Sequence, residues 1–458
     1  MQKYDIVVVG GGPGGTLAAK TAAEKGMKVL VIERGKEIGD KIVSGAIVMP
    51  KMFRDFPFTR TMNLPRARIP RMGYLGFFEP PPSLEVAYYS LISMHPESQE
   101  YPIQCVYMKE FVGFLADAAK EAGAEFRMAT LVADVLRKNG KITGVLTDKG
   151  DEIQSDIVIA ADGVLSLIAR KAGLRKKWDP WGVVNIASLT FSAPEEKIDE
   201  EGIGGGVYSI MGLGANYHCV FKDGFHIGGF GFPACTLGRR VQARRGVTGE
   251  YLKFLEPPLI KAMLKRLEAK PVEFSMHPLT WFDEMPKEIY TDGLMLVGDA
   301  AGLPEPFLAS GIYEAMHSGR LAAGVAAEAI EKGDTSKAFL EEYYDRLKAS
   351  TVGQQFIGGK QIRAMFDLIL TDPEGRKLVD LLSSMSMFLF WGWAGTTAPA
   401  SVTLPLLITS LLDKVPVLAK VAGLYLPVAA PSLSEPLSRL ANELVAGVMR
   451  SVTTKGGV

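Results

Sequence analysis

Cysteine is scarce in this chain: 458 residues carry three, Cys105, Cys219 and Cys235. They lie far apart with no CxxC spacing, so neither a structural zinc site nor a four-cysteine iron–sulfur cluster can be built from them, and any such cluster has to belong to a partner. So little cysteine also fits a reducing compartment. Net charge is lacking as well. Lysine plus arginine equals aspartate plus glutamate at 51 each, which leaves no electrostatic footprint for nucleic acid. Nor is there an unbroken apolar run of roughly 20 residues, the length a helix needs to cross a bilayer. The most apolar stretch, residues 385–431, is cut by Pro399, Pro405, Pro416 and Pro427. The first strand-like run begins at Tyr4, which leaves no room for a signal peptide and predicts a cytoplasmic location.

What the chain does have is concentrated at its beginning. Asp5-Ile6-Val7-Val8-Val9 is followed by Gly10-Gly11-Gly12-Pro13-Gly14-Gly15, then by an alanine-rich helical pattern that closes at Gly26. A second apolar run, Val29 to Ile32, delivers Glu33 and Arg34. This reads as strand, glycine turn, helix, strand. Gly10 makes the tight turn, Gly12 lets the backbone approach a pyrophosphate, and Gly15 lets the helix pack close to the strand. The first-turn amides then face the anion with the positive end of the helix dipole behind them. Glu33 stands where a carboxylate can accept hydrogen bonds from the two hydroxyls of an adenosine ribose. Strand, turn, helix, second strand and terminal acid agree on a nucleotide site.

Further along, residues 40 to 100 are broken by prolines and read as an excursion from the nucleotide domain, within which Ser44-Gly45-Ala46 reads as a loop turn. A helix is expected over 109–122, then strands at 129–135 and 142–147 joined by Asn139-Gly140, a strong hairpin signal. Ile157 to Ala161 reads as a strand buried on both faces. It ends in Asp162-Gly163 before a helix over 165–172, where Asp162 suits both a ligand site at a strand's carboxyl end and a helix cap. Residues 175–285 alternate, as at 183–191 and 218–232, and predict an antiparallel sheet, in which Gly202 and Gly204 to Gly206 serve as turns or close approaches. Leu294 to Val297 is another buried strand, ending in Gly298-Asp299, and a long helix over 310–332 follows.

The expected organisation is α/β, with a discontinuous nucleotide domain of residues 1–50, 101–174 and 286–334. Residues 51–100 and 175–285 make a second domain, and 335–458 a helical C-terminal region. In that last region Phe388, Phe390, Trp391 and Trp393 suit short helices lying in a membrane interface, or equally a helical cap packed on the core.

Three stretches together resemble one flavoprotein group, that of aromatic hydroxylases, geranylgeranyl reductases and electron-transfer-flavoprotein:quinone oxidoreductases. They are GGGPGG with Glu33, VIAADGVLSLIARKAGL (Val158 to Leu174) and VGDAAG (Val297 to Gly302). Within the group the FixC-like branch looks nearest, through IGDKIVSGAIVMP (Ile38 to Pro50), GGGVY (Gly204 to Tyr208) and SGIYEAMHSGRLAA (Ser310 to Ala323). The resemblance implies an FAD-binding Rossmann-like domain of the glutathione-reductase and p-hydroxybenzoate-hydroxylase type, with an inserted antiparallel sheet that takes the substrate or quinone. It also implies FAD held by Gly10, Gly12, Pro13, Gly14, Gly15, Glu33, Arg34, Ser44, Gly45, Asp162, Gly163, Gly298, Asp299, Gly311 and Ile312.

What the resemblance implies about function is electron transfer from a protein donor, an electron-transfer flavoprotein with or without a separate ferredoxin-like protein, to a membrane quinone. Its alternatives are saturation of isoprenoid double bonds in a lipid and FAD-dependent monooxygenation. The implied location is peripheral, at the inner face of the cell membrane. Geranylgeranyl reductases often carry Cys-Gly where this chain has Ser44-Gly45, a departure that counts against that branch.

Overall fold

The structure, a computed structural model, describes residues 2–40, 45–48, 50–68, 74–78, 87–88, 104–179, 182–200, 207–211, 214–231, 252, 255, 258–306 and 310–357. Strand β1 (Gln2–Val9) leads into helix α1 (Pro13–Glu24) and β2 (Val29–Ile32). Next come β3 (Gly45–Val48), α2 (Pro50–Asp55), β4 (Tyr74–Phe78), β5 (Ala87–Tyr88) and β6 (Gln104–Tyr107). The chain continues through α3 (Met108–Glu121), β7 (Glu125–Arg127), β8 (Val132–Lys138), β9 (Lys141–Thr147), β10 (Glu152–Ala160) and the short α4 (Leu167–Lys171). After it stand β11 (Val183–Ser192), β12 (Val207–Met211), β13 (Gly214–Val220), β14 (Gly224–Gly231), α5 (Pro258–Arg266) and β15 (Lys270–Thr280). Finally β16 (Tyr290–Thr291), β17 (Leu294–Leu296), α6 (Ile312–Glu331) and α7 (Lys337–Ala349) return to the first unit.

Among the described residues the strands sort into an eight-stranded sheet, a seven-stranded sheet and the β3–β6 ribbon. The first runs β16-β17-β10-β1-β2-β7, with the β8–β9 hairpin added beside β10. Its central strands are parallel, and Val9 stands beside both Ala160 and Ile32 while Ala160 stands beside Leu296. That register brings the carboxyl ends of β2, β1, β10 and β17 to one edge, where ligands bind in open α/β sheets. Ile6, Val7 and Val8, all four residues of β2, and Ile157 to Ala160 are buried, as strands covered on both faces require. The second sheet, β15-β11-β14-β13-β12-β4-β5, is antiparallel except where β12 meets β4. Helix α5 covers one of its faces, burying Met263 and Leu267 against Leu189, Phe191, Phe225 and Ile227.

Local signals account for most boundaries. Asn139 and Gly140 both take positive φ, the conformation a tight hairpin turn demands. Ser166 caps α4, its Oγ accepting from the Ala169 N–H, so that helix starts two residues later than its expected range of 165–172. Other boundaries are tertiary. The strand expected at 157–161 begins at Glu152, because its first residues pair with Gln2 to Tyr4 of β1 and with β9. The alternating pattern at 218–232 is two strands rather than one, separated where the Phe221 N–H donates to the Gly224 carbonyl at 2.7 Å. Ser44-Gly45-Ala46, expected as a turn, is corrected in part: Gly45 and Ala46 lie in β3 opposite Tyr107 and Val106. Ser44, the glycines at 202 to 206 and the C-terminal aromatics from Phe388 to Trp393 lie outside the described residues. The core of the first sheet also takes in Met52, Phe53, Phe56, Met62 and Leu64.

Helices α1 and α6 pack against each other at glycines. A Cβ added to Gly319 would sit 2.1 Å from the Gly14 carbonyl oxygen, and one added to Gly14 would sit 3.1 Å from the Ala315 carbonyl oxygen. Backbone meets backbone there, so nothing flexible can give way. Gly319→Ala should therefore destabilise the fold by about 1–3 kcal/mol, the usual cost of overpacking. Urea unfolding checks this; an unchanged midpoint would mean that the two helices are free to separate.

Candidate functional site

The carboxyl edge of the first sheet gathers the glycine turn after β1, Glu33 after β2, Asp162 after β10 and Gly298-Asp299 after β17. Gly10 has φ +102, and a Cβ there would lie 2.4 Å from the Ala161 carbonyl oxygen, so only glycine passes between the strand ends. A Cβ on Gly15 would lie 1.9 Å from the Gly10 carbonyl oxygen, which is the close helix–strand approach the sequence pattern implies. Gly12 differs from both. It is the N-cap of α1 in extended backbone with no side-chain cap, and a Cβ added to it would meet no protein atom within 4 Å. Pro13 opens the helix without an N–H, and the Gly14 and Gly15 amides have no helical acceptor. Open space in front of unpaired amides and a positive helix end is a cradle for an anion.

Glu33 borders that space. Its Oε2 accepts from the Gly11 N–H at 2.8 Å and its Oε1 from the Gly35 N–H at 2.7 Å. A carboxylate has about four acceptor positions, so these bonds fix its orientation and leave one on each oxygen for ribose hydroxyls. Arg34 is exposed.

Asp162 takes the capping role. Its Oδ1 accepts from Ser166 Oγ at 2.6 Å and its Oδ2 from the Ile168 N–H at 3.0 Å. Burial nevertheless raises its carboxyl above the usual range, against those hydrogen bonds. With its carboxylate committed to the loop, Asp162 offers a ligand its backbone and that of Gly163.

Asp299 is arranged differently. Its side chain accepts no hydrogen bond from the described residues, and burial together with the Glu314 carboxylate pushes its pKa up to about 7. Gly298 is held by its N–H, which donates to Ser318 Oγ at 3.0 Å. Gly311 is the N-cap of α6 and Ile312 its first residue, again without a side-chain cap. Gly45 is placed in β3.

Residues that the sequence pattern does not single out tie these loops together. Arg175 donates through Nη2 to the Ala300 carbonyl at 2.8 Å and stacks 3.3 Å from the Trp178 ring centre, while Trp178 Nε1 donates to the Val164 carbonyl. The pair thus staples the loop after β10 to the loop after β17. Burial lowers the Arg175 pKa to about 10, opposed by the nearby Asp162. On the other side, Tyr313 donates to Asp55 Oδ2 at 2.5 Å, Arg320 donates to the Asp55 carbonyl at 2.8 Å, and Lys51 Nζ lies 3.3 Å from Glu314 Oε1. The signal in the sequence was an acid, Glu314, within an otherwise small and apolar helix start.

This geometry can be set beside known proteins. Residues 5–178 match the family described as FAD dependent oxidoreductase. A digeranylgeranylglycerophospholipid reductase of Methanothrix thermoacetophila is 31% identical over 394 residues, 83% of this chain and 92% of that one. The chain belongs to the FAD-dependent oxidoreductases of the geranylgeranyl reductase superfamily.

Protein FixC of Escherichia coli K12 is 29% identical to this flavoprotein over 363 residues, 76% of this chain and 82% of that one. A geranylgeranyl bacteriochlorophyll reductase-like protein from Thermoplasma acidophilum shares the fold, with a TM-score of 0.69 at 23% identity, covering 92% of this chain and 98% of that one. FAD is the cofactor, and the residues present fit it. The open cradle at Gly12 suits the pyrophosphate, Glu33 the adenosine ribose, and Asp299 has acceptor capacity unused by the described residues. FAD supplies the redox chemistry; the chain supplies binding, orientation and electrostatics.

Gly12→Ala is the sharpest test of this cradle. An added methyl there touches no protein, so the apoprotein should fold with unchanged stability while the affinity for FAD falls at least tenfold. Flavin absorbance after gel filtration and apoprotein unfolding check the two halves; full flavin occupancy would show that the pyrophosphate lies elsewhere.

Proposed function

We propose that this flavoprotein is a reductase that saturates isoprenoid double bonds of a membrane lipid. The observation that carries this reading is the reach of its likeness to digeranylgeranylglycerophospholipid reductases, which spans 92% of one such relative rather than stopping with the nucleotide motifs. Reducing a carbon–carbon double bond consumes two electrons and two protons. One dinucleotide fingerprint, already assigned to FAD, speaks for electrons arriving from a protein donor, an electron-transfer flavoprotein or a ferredoxin-like protein, rather than from NADH.

The second reading is delivery of electrons to a membrane quinone. It is favoured by the likeness to FixC and by Ser44 standing where geranylgeranyl reductases often carry cysteine. In both readings the acceptor is lipid-soluble, and the apolar segment with Trp391 and Trp393 would take the protein to the inner membrane face.

Anaerobic, dithionite-reduced protein is expected to reoxidise on addition of a geranylgeranyl lipid, whose mass should rise by one dihydrogen per bond saturated. Reoxidation by a quinone analogue with no change in lipid mass would overturn the first reading in favour of the second. Liposome flotation should show attachment that resists high salt, since residues 385–431 hold only Asp413, Lys414 and Lys420 as charges to be screened; protein that stays at the bottom would remove the membrane from both readings.

A further inference from the structure

Helix α6 begins with a buried acid that lies outside the FAD cradle. Glu314 is its third residue, and its side chain is 0% exposed. Lys51 reaches it from α2 at 3.3 Å, and Ser310 Oγ lies 3.5 Å from Oε2. Two further acids act on the group. Glu305 opposes the charge of Glu314, and Glu314 opposes that of Asp299. Asp299 stands at the N-cap of the same helix, its Oδ1 3.2 Å from where a Gly311 Cβ would be. One turn on, Tyr313 and His317 are engaged with Asp55 and Arg320, and Lys51 also lies over the Tyr313 ring. Lys51 is therefore the cation that faces this group of carboxylates among the described residues.

The order of strands gives the site a direction. Glu33 ends β2, the Gly12 cradle follows β1, and Asp299 follows β17 on the far side of β10. A dinucleotide with its adenosine at Glu33 and its pyrophosphate at Gly12 would have Asp299 and the start of α6 to hold its redox half. Electrons entering there add negative charge beside carboxylates that are shielded from water, where charge–charge repulsion is poorly screened.

We propose that Glu314, tuned by Lys51, couples reduction of the flavin to uptake of a second proton. Two electrons entering the site would be balanced by two protons, one taken up with the cofactor and the other by the Glu314 carboxylate, so the site gains no net charge. Glu314 is placed for this by its full burial and by Lys51, which reaches it at 3.3 Å. Burial raises the Glu314 carboxyl, Lys51 lowers it and the charge of Glu305 raises it further. Glu314 is thus a positioning residue for charge, whichever acceptor the electrons later reach.

A spectroelectrochemical titration of the full-length, FAD-loaded protein tests this from about pH 6 to about pH 9, with reduced-minus-oxidised infrared spectra beside it. Wild-type protein should lose potential with pH at the slope of two protons per two electrons and show a protonated-carboxyl band on reduction. Glu314→Gln should halve the slope and remove the band, and Glu314→Asp should restore both. Lys51→Gln should move the break in slope to higher pH, because the cation holds the neighbouring carboxyl down. A Glu314→Gln protein with the wild-type slope overturns the proposal. If that variant fails to hold FAD, Lys51→Gln decides, and an unmoved break overturns it.

Discussion

Everything at the site depends on how closely two helices approach over one sheet edge. Gly14 of α1 and Gly319 of α6 meet at a separation that leaves no room for a β-carbon on Gly319. That contact brings the N-termini of both helices, each without a side-chain cap, to the carboxyl ends of β1 and β17. Unpaired amides and two positive dipole ends then share one cleft. The glycine contacts between α1 and β1 set the same geometry on the sheet side, since Gly15 admits no side chain against the Gly10 carbonyl.

Within that frame three carboxylates have been given three different fates by their neighbours. Glu33 is oriented by two backbone amides and keeps acceptor capacity toward the ligand. Asp162 is spent on organising its own loop through Ser166 and Ile168. Asp299 is buried without a donor among the described residues, and burial together with the charge of Glu314 raises its proton affinity. Charge type alone would treat them as equivalent; hydrogen-bond supply separates them.

The division of labour between the two sheets suits cofactor-driven chemistry. The parallel sheet holds the nucleotide with backbone and glycine geometry, which changes little when the reaction changes. The antiparallel sheet, built from β4 and β5 before β10 and from β11 to β15 after it, is free to vary with the acceptor. Family membership therefore establishes the cofactor firmly, while the acceptor is left to residues away from the nucleotide edge.

The sequence alone determined the nucleotide unit. Continuous apolar runs, a glycine turn, an alanine-rich helix and a terminal acid are all local, and local sterics leave one arrangement for them; Asn139-Gly140 fixed its hairpin for the same reason. Tertiary structure decided the rest. Gly45 reads as a turn until Tyr107 supplies a partner strand, and the pattern at 218–232 reads as one strand until the Phe221–Gly224 turn divides it. Asp162 suited both a ligand site and a helix start, and only the packed loop shows its carboxylate turned to Ser166 and the Ile168 amide. Lys51 and Glu314, 263 residues apart in the chain, carry no mutual signal in sequence. Their pairing exists because α2 and α6 pack against each other, and a contact between distant segments is written only in the packing.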